Sequence, residues 1–144
     1  MSSSIISGIE NLSPGMNASI SKTITIDDIA QFAEISTDRN PVHFDAAYAA
    51  ATPFNGVVAH GMLSASLISA VLAGKLPGPG TIYLGQTLKF KAPVRPGDHV
   101  TATVTIKEVR IERQRVVLDT VCSVGGKAVI EGEATVMFPS RKPK

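Results

Sequence analysis

Asp38 and His43 stand five positions apart with Asn40 and Pro41 between them, a carboxylate and an imidazole on one short segment. These are the side-chain types that exchange protons near neutral pH, and two of them converging on one point can hold a water molecule and move its proton. Pro41 disfavours helical backbone at Asn40, so both groups belong to a stiffened loop. A plainer reading competes: Asp38 caps a turn, and His43 is a partly buried, satisfied histidine. A second feature lies downstream at Gly61. A glycine opening a helix lets a ligand approach an unpaired backbone N–H, and the helix N-terminus favours developing negative charge. A carbonyl oxygen held there would draw electrons from an adjacent double bond and activate it toward water. Simple close packing is the alternative explanation for Gly61.

The elements that must position these residues follow from periodicity. Pro14-Gly15 marks a turn before a half-exposed strand carrying Ala18, Ile20 and Ile24. Thr25 and Asp28 fit a capping box, with Ile26, Ile29, Ala30, Phe32 and Ala33 on one helical face ending near Ser36. Asp45 caps a short helix through Ala50, and Asn55-Gly56 supplies a turn. The next helix starts near His60-Gly61 and ends at Gly74, before Pro77-Gly78-Pro79-Gly80. Between Asp45 and Lys75 there is no Asp, Glu, Lys or Arg, so this helix has no substantial polar face and must be wrapped on more than one side. Four strands then follow, over 82–92, 100–106, 116–124 and 127–138, with a turn at Pro93 to Asp98 and a tight hairpin at Gly125-Gly126. The expected fold is α+β, a curved antiparallel sheet wrapped around a long central apolar helix. Residues 1–13 read as a flexible lead, 14–139 as the single domain and 140–144 as a basic tail.

Composition closes off several functions. The chain has 144 residues, enough for one well-filled core, and an isoelectric point near 8.8 that invites a nucleic-acid reading. Arg141, Lys142 and Lys144 produce that value: removing those three from the 14 basic residues leaves 11 against 12 acidic. The domain is near neutral, and no nucleic-acid partner is expected. Cys122 is the only cysteine, so no internal disulfide forms, and it reads as a small buried hydrophobe. The first residues lack the pattern of a secretory signal, which points to a cytoplasmic protein. Val57 to Gly74 is at the short limit for a membrane span and carries His60, Ser64, Ser66 and Ser69; a buried core helix is the better reading, with no membrane partner. No phosphate-binding glycine loop and no G-x-S-x-G elbow is present. His43, His60 and His99 with Cys122 match no metal-ligand spacing, so no metal is expected. His60 reads as a residue satisfying a backbone group and His99 as exposed.

Three segments carry a resemblance: S-T-D-R-N-P-V-H-F-D at Ser36 to Asp45, A-H-G-M-L at Ala59 to Leu63, and F-K-A-P-V-R-P-G-D at Phe90 to Asp98. Together they resemble the MaoC-like hydratases, most nearly the short, single-domain (R)-specific enoyl-CoA hydratases that supply polyhydroxyalkanoate monomers. The likeness runs from about Pro14 to Phe138. It implies a hot-dog fold and a homodimer whose two sheets join, with an acyl tunnel near the interface. It also implies that Asp38 and His43 bind the catalytic water, that Gly61 offers its N–H to a thioester carbonyl, that Asn40 orders the loop, and that Ser69 is the helix serine near the site. The implied reaction is reversible syn addition of water to a trans-2-enoyl-CoA, with no cofactor beyond the coenzyme A of the substrate. Lys89, Lys91, Arg95 and Arg113 are candidates for the coenzyme A phosphates, against the plainer reading of solvated charges. A dehydratase acting on acyl carrier protein, a hot-dog thioesterase and a non-catalytic acyl-CoA binding module are the rival functions.

Overall fold

The computed structural model describes residues 6–141. Its first strand, β1 (Asn17–Thr23), leads into α1 (Ile26–Ser36), whose start is held by a reciprocal capping box. Thr25 Oγ1 accepts from the Asp28 N–H at 3.1 Å, and Asp28 Oδ2 accepts from the Thr25 N–H at 2.9 Å. Ile29 and Ala33 are buried, but Ile26 and Ala30, expected on the same face, are exposed, Ile26 at 72%, so α1 buries a narrower stripe than its periodicity suggests. Thr37 ends the helix in the left-handed region, φ 65°. A 3₁₀ turn at Pro41–His43 and the short helix α2 (Ala46–Ala50), capped by Asp45, complete the loop region.

The uncharged helix α3 (Gly61–Gly74) sits against the concave face of a five-stranded antiparallel sheet, the hot-dog arrangement. The strands are β2 (Ile82–Phe90), β3 (His99–Arg110), β4 (Arg115–Val124) and β5 (Lys127–Met137). Ile68, Val71 and Leu72 of the helix share one core with Val100 and Val104 of β3, Leu118 of β4 and Val136 of β5. Alternation puts these strand residues on one face and Thr101, Thr103 and Thr105 on the other. Wrapping is not complete within one chain. Met62 is 54% exposed, and Ser66, Ser69, Ala70 and Ala73 are also exposed.

Strand order is β1-β3-β4-β5-β2. Pro93 to Asp98 is therefore not a hairpin turn between neighbours, as simple strand succession suggests. β2 pairs with β5 at one edge, and β3 pairs with β1 at the other. The connector crosses between them. It is tied on the way by Lys91 N–H to Val129 O (2.8 Å), Ala59 N–H to Val94 O (2.7 Å) and Gly97 N–H to Ile24 O (2.7 Å). Two prolines on this segment leave fewer N–H groups for a ladder and favour such a crossing.

The expected flexible lead is, from Ile9 onward, part of the core. Ile9 is fully buried, Leu12 is buried, and the Ile9 N–H donates to Pro139 O at 2.9 Å. Apolar side chains at Ile9 and Leu12 explain why the segment docks. Residues 1–5 of the lead and residues 142–144 of the basic tail lie outside the described residues.

Candidate active site

Two overlapping turns shape the loop that carries the acid–base pair. Asp38 Oδ1 accepts from the Asn40 N–H at 3.2 Å, and Asn40 Oδ1 accepts from the Val42 N–H at 3.2 Å. Asn40 thus orders the loop by holding its backbone. Val42 packs with Ala49 and Val58 in a small apolar cluster, which anchors the 3₁₀ turn beneath His43. His43 Nδ1 lies 2.7 Å from the Val58 carbonyl oxygen. A carbonyl only accepts, so Nδ1 carries the hydrogen and Nε2 is left as the basic nitrogen. Ligand atoms of Asp38, His43 and His60 all lie within 4.8 Å of one another. One water hydrogen-bonded to two groups at normal length can span such a separation.

These groups open on a cavity of about 540 Å³ at the N-terminus of α3. Gly61, Ser64, Phe90, Lys91, Val94 and Ile130 are among its walls. The Gly61 N–H is the first of the helix and has no intrahelical acceptor. A Cβ on Gly61 would lie 2.6 Å from the Phe90 ring, so a larger residue here must displace that half-exposed ring. The His43 and His60 rings are stacked, 3.8 Å apart and 29° from parallel, and with Asp38 they form the grouping of potential metal-ligand side chains that sequence spacing did not indicate.

The MaoC-like domain family matches residues 11–126, most of the chain. The chain belongs to the MaoC-like family. It is 55% identical over 137 residues to an (R)-specific enoyl-CoA hydratase of Rhodospirillum rubrum, covering 95% of each chain. It superposes with a TM-score of 0.87 on the (R)-hydratase from Aeromonas caviae involved in PHA biosynthesis, at 44% identity, covering 90% of this chain and 99% of that one. An unliganded R-hydratase from Pseudomonas aeruginosa is similar at a TM-score of 0.86 and 47% identity, covering 93% and 86%.

Within this MaoC-like chain the structure brings Asp38, Asn40, His43, Gly61 and Lys91 together on one cavity, and Ser69, Lys89, Arg95 and Arg113 are not among its walls. Ser69 lies in a second cavity, with Phe32, Met62, Tyr83 and Gln86. It is eight residues beyond Gly61, about 12 Å along the helix axis. Lys91 lines the first cavity and pairs with Glu131 at 3.5 Å; Lys89 is exposed on β2. Arg95 is committed elsewhere. Its guanidinium donates to the carbonyls of Phe54 and Val57, tying down the loop whose next residue, Val58, holds His43. Arg113 follows β3, and from Ala102, in the strand row of Ile130, that strand runs eight residues to Arg110, roughly 26 Å.

Two residues of the site carry more than their spacing indicates. Ser64 is fully buried among the cavity walls, and its Oγ has no partner among the described residues. Its position one helical turn after Gly61 was the available signal. His60 does satisfy a backbone group, and that group is the carbonyl of Asp38 itself, at 2.9 Å from Nε2. His99 is exposed and meets Thr23 Oγ1. Cys122 is fully buried, and desolvation pushes its thiol up to about 11. No helix of the described residues is long and apolar enough to cross a membrane.

Proposed function

We propose that this chain is an (R)-specific enoyl-CoA hydratase, adding water reversibly and syn across trans-2-enoyl-CoA to give (R)-3-hydroxyacyl-CoA. The observation that carries the reading is the pair Asp38 and His43 within reach of one water, beside the free N–H of Gly61 at the mouth of an apolar-walled cavity. High identity to an (R)-specific hydratase over 95% of the chain supports the substrate class and the stereochemistry.

In this reading Asp38 and His43 share one exchangeable proton, and Nε2 is the nitrogen through which His43 exchanges it. Water gives a proton to one member as its oxygen bonds to C3, and the other member gives its own proton to C2. The carbon–carbon π bond breaks, charge accumulates on the thioester oxygen, and the Gly61 N–H with the helix N-terminus stabilises it. Proton transfer within the pair then restores the starting state. The hydroxyl at C3 and the proton at C2 therefore arrive from one side of the substrate plane, which makes the addition syn. The chemistry uses no cofactor, and coenzyme A enters with the substrate. In this reading Lys91, just after β2, meets its phosphates, with Lys89 near the end of that strand.

Two copies join along β2 in this proposal. Its Ile82, Tyr83 and Leu84 are 54%, 40% and 47% exposed, and the exposed side of α3 adjoins them around the second cavity. The protein is read as cytoplasmic. Hydration of crotonyl-CoA, followed by loss of the conjugated thioester absorbance and chiral analysis of the product, tests the function. The (R)-alcohol is expected. An (S)-product, or release of free thiol without hydration, overturns the assignment.

A further inference from the structure

His60 occupies a position that helix formation alone does not explain. It is the N-cap of α3, where Ser, Thr, Asp or Asn would satisfy a free N–H, yet its side chain caps nothing. The imidazole is 2% exposed, and its Nδ1 is one of two buried side-chain polar atoms without a partner among the described residues. Burying such a nitrogen is unfavourable, and local rules are broken most often where function demands it.

Its contacts reach every part of the site. Nε2 donates to the Asp38 carbonyl at 2.9 Å, which assigns the Nε2–H tautomer. One ring face stacks on His43 at 3.8 Å, and the Phe32 ring from α1 packs at 4.8 Å. The next residue in the chain is Gly61. One rigid side chain is thus bonded to the backbone of the acid–base aspartate, stacked on the acid–base histidine and covalently adjacent to the N–H donor.

We propose that His60 is a positioning residue. It sets the distance between the water-binding pair and the Gly61 N–H by clamping Asp38 and His43 against the start of α3. The role rests on the reading of Asp38 and His43 as the acid–base pair. It does not require His60 to touch substrate or to exchange a proton during turnover. Displacements of about 1 Å in such arrangements cost on the order of 100-fold in rate, so loss of the clamp appears in kcat while KM moves little.

His60→Gln and His60→Asn test this, together with tautomer assignment in the wild type by long-range ¹H–¹⁵N NMR. Gln reaches far enough to donate to the Asp38 carbonyl but cannot stack as a ring. Asn removes the clamp and supplies a better N-cap, so it is expected to hold or raise the melting temperature. The expected result is a kcat lowered about 10-fold or more in His60→Asn with KM within about threefold, and partial recovery in His60→Gln. A purely structural role predicts instead that kcat follows stability. Turnover within twofold of wild type in a folded His60→Asn protein, or a wild-type His60 in the Nδ1–H tautomer, overturns the proposal. If the wild type hydrates no enoyl-CoA, the function proposed above falls by itself. The clamp is then judged by the NMR signals of Asp38 and His43, which must shift in His60→Gln; unchanged signals overturn it.

Discussion

His43 has one ring nitrogen committed to the Val58 carbonyl, so its chemistry passes through the other, and that asymmetry makes its replacement informative. In Asp38→Asn the amide oxygen can still accept from the Asn40 N–H, so the loop should keep its shape while the acid–base function is lost. Turnover is expected to fall about 100-fold or more in Asp38→Asn and in His43→Gln, with circular dichroism unchanged; wild-type rates in the continuous hydration assay would remove both from the mechanism. Cys122 offers a test by pH. Burial raises its thiol from 9.0 to about 11, so the native state holds that proton more tightly than the unfolded chain does. The stability it contributes is complete below pH 9 and is lost as pH rises from 9 toward 11. Melting temperatures of wild type and Cys122→Ala should converge over that interval, and native-state alkylation at pH 8 should be slow. At this scale the D-x-N-P-x-H and H-G elements were legible from residue type and spacing. Ser64 and the clamp of His60 were not, because both depend on what lies across the cavity.

Elements were predictable to the extent that they are local. The capping box, the proline stops and the alternation of the strands each declare themselves within a few residues. Sheet order did not, because β2 and β3 follow one another in the chain and nothing short-range says that the connector between them crosses the fold. That crossing explains Arg95. A cation next to a turn looks like a phosphate ligand, but the crossing carries it beneath the loop whose carbonyls it binds. Arg95→Met is expected to lower both melting temperature and kcat, since it releases the loop that orients His43, while leaving the salt dependence of KM unchanged. A decrease in affinity for CoA alone would restore its role as a phosphate ligand. Gly132 in β5 is a second element-scale constraint. A Cβ there would lie 1.8 Å from the Thr87 carbonyl oxygen, a backbone atom that cannot rotate away. Gly132→Ala should therefore destabilise by about 3 kcal/mol or more in denaturant unfolding, and a loss below 1 kcal/mol would show that the β2–β5 pairing relaxes freely.

For the molecule as a whole, the apolar helix promised more enclosure than one chain supplies. The exposed edge at β2 and the open side of α3 form one continuous apolar region, and exposed edges of this kind recruit further strands. Leu84→Lys is expected to convert a dimer to a monomer in sedimentation analysis; a wild-type protein that sediments as a monomer at micromolar concentration would exclude the joined-sheet arrangement. The strand order has a further consequence, for the route by which the chain reaches this state. β3, β4 and β5 pair across short turns, whereas β1 and β2 must find partners far along the chain, Asn17 at Thr105 and Ile82 at Met137. Closing those long loops costs more entropy, so the three-stranded meander is favoured to form first. The acid–base loop and the crossing connector both hang from the late-arriving edges. Catalytic competence is therefore among the last properties a refolding chain acquires, and a partly folded chain can hold most of its sheet without any turnover.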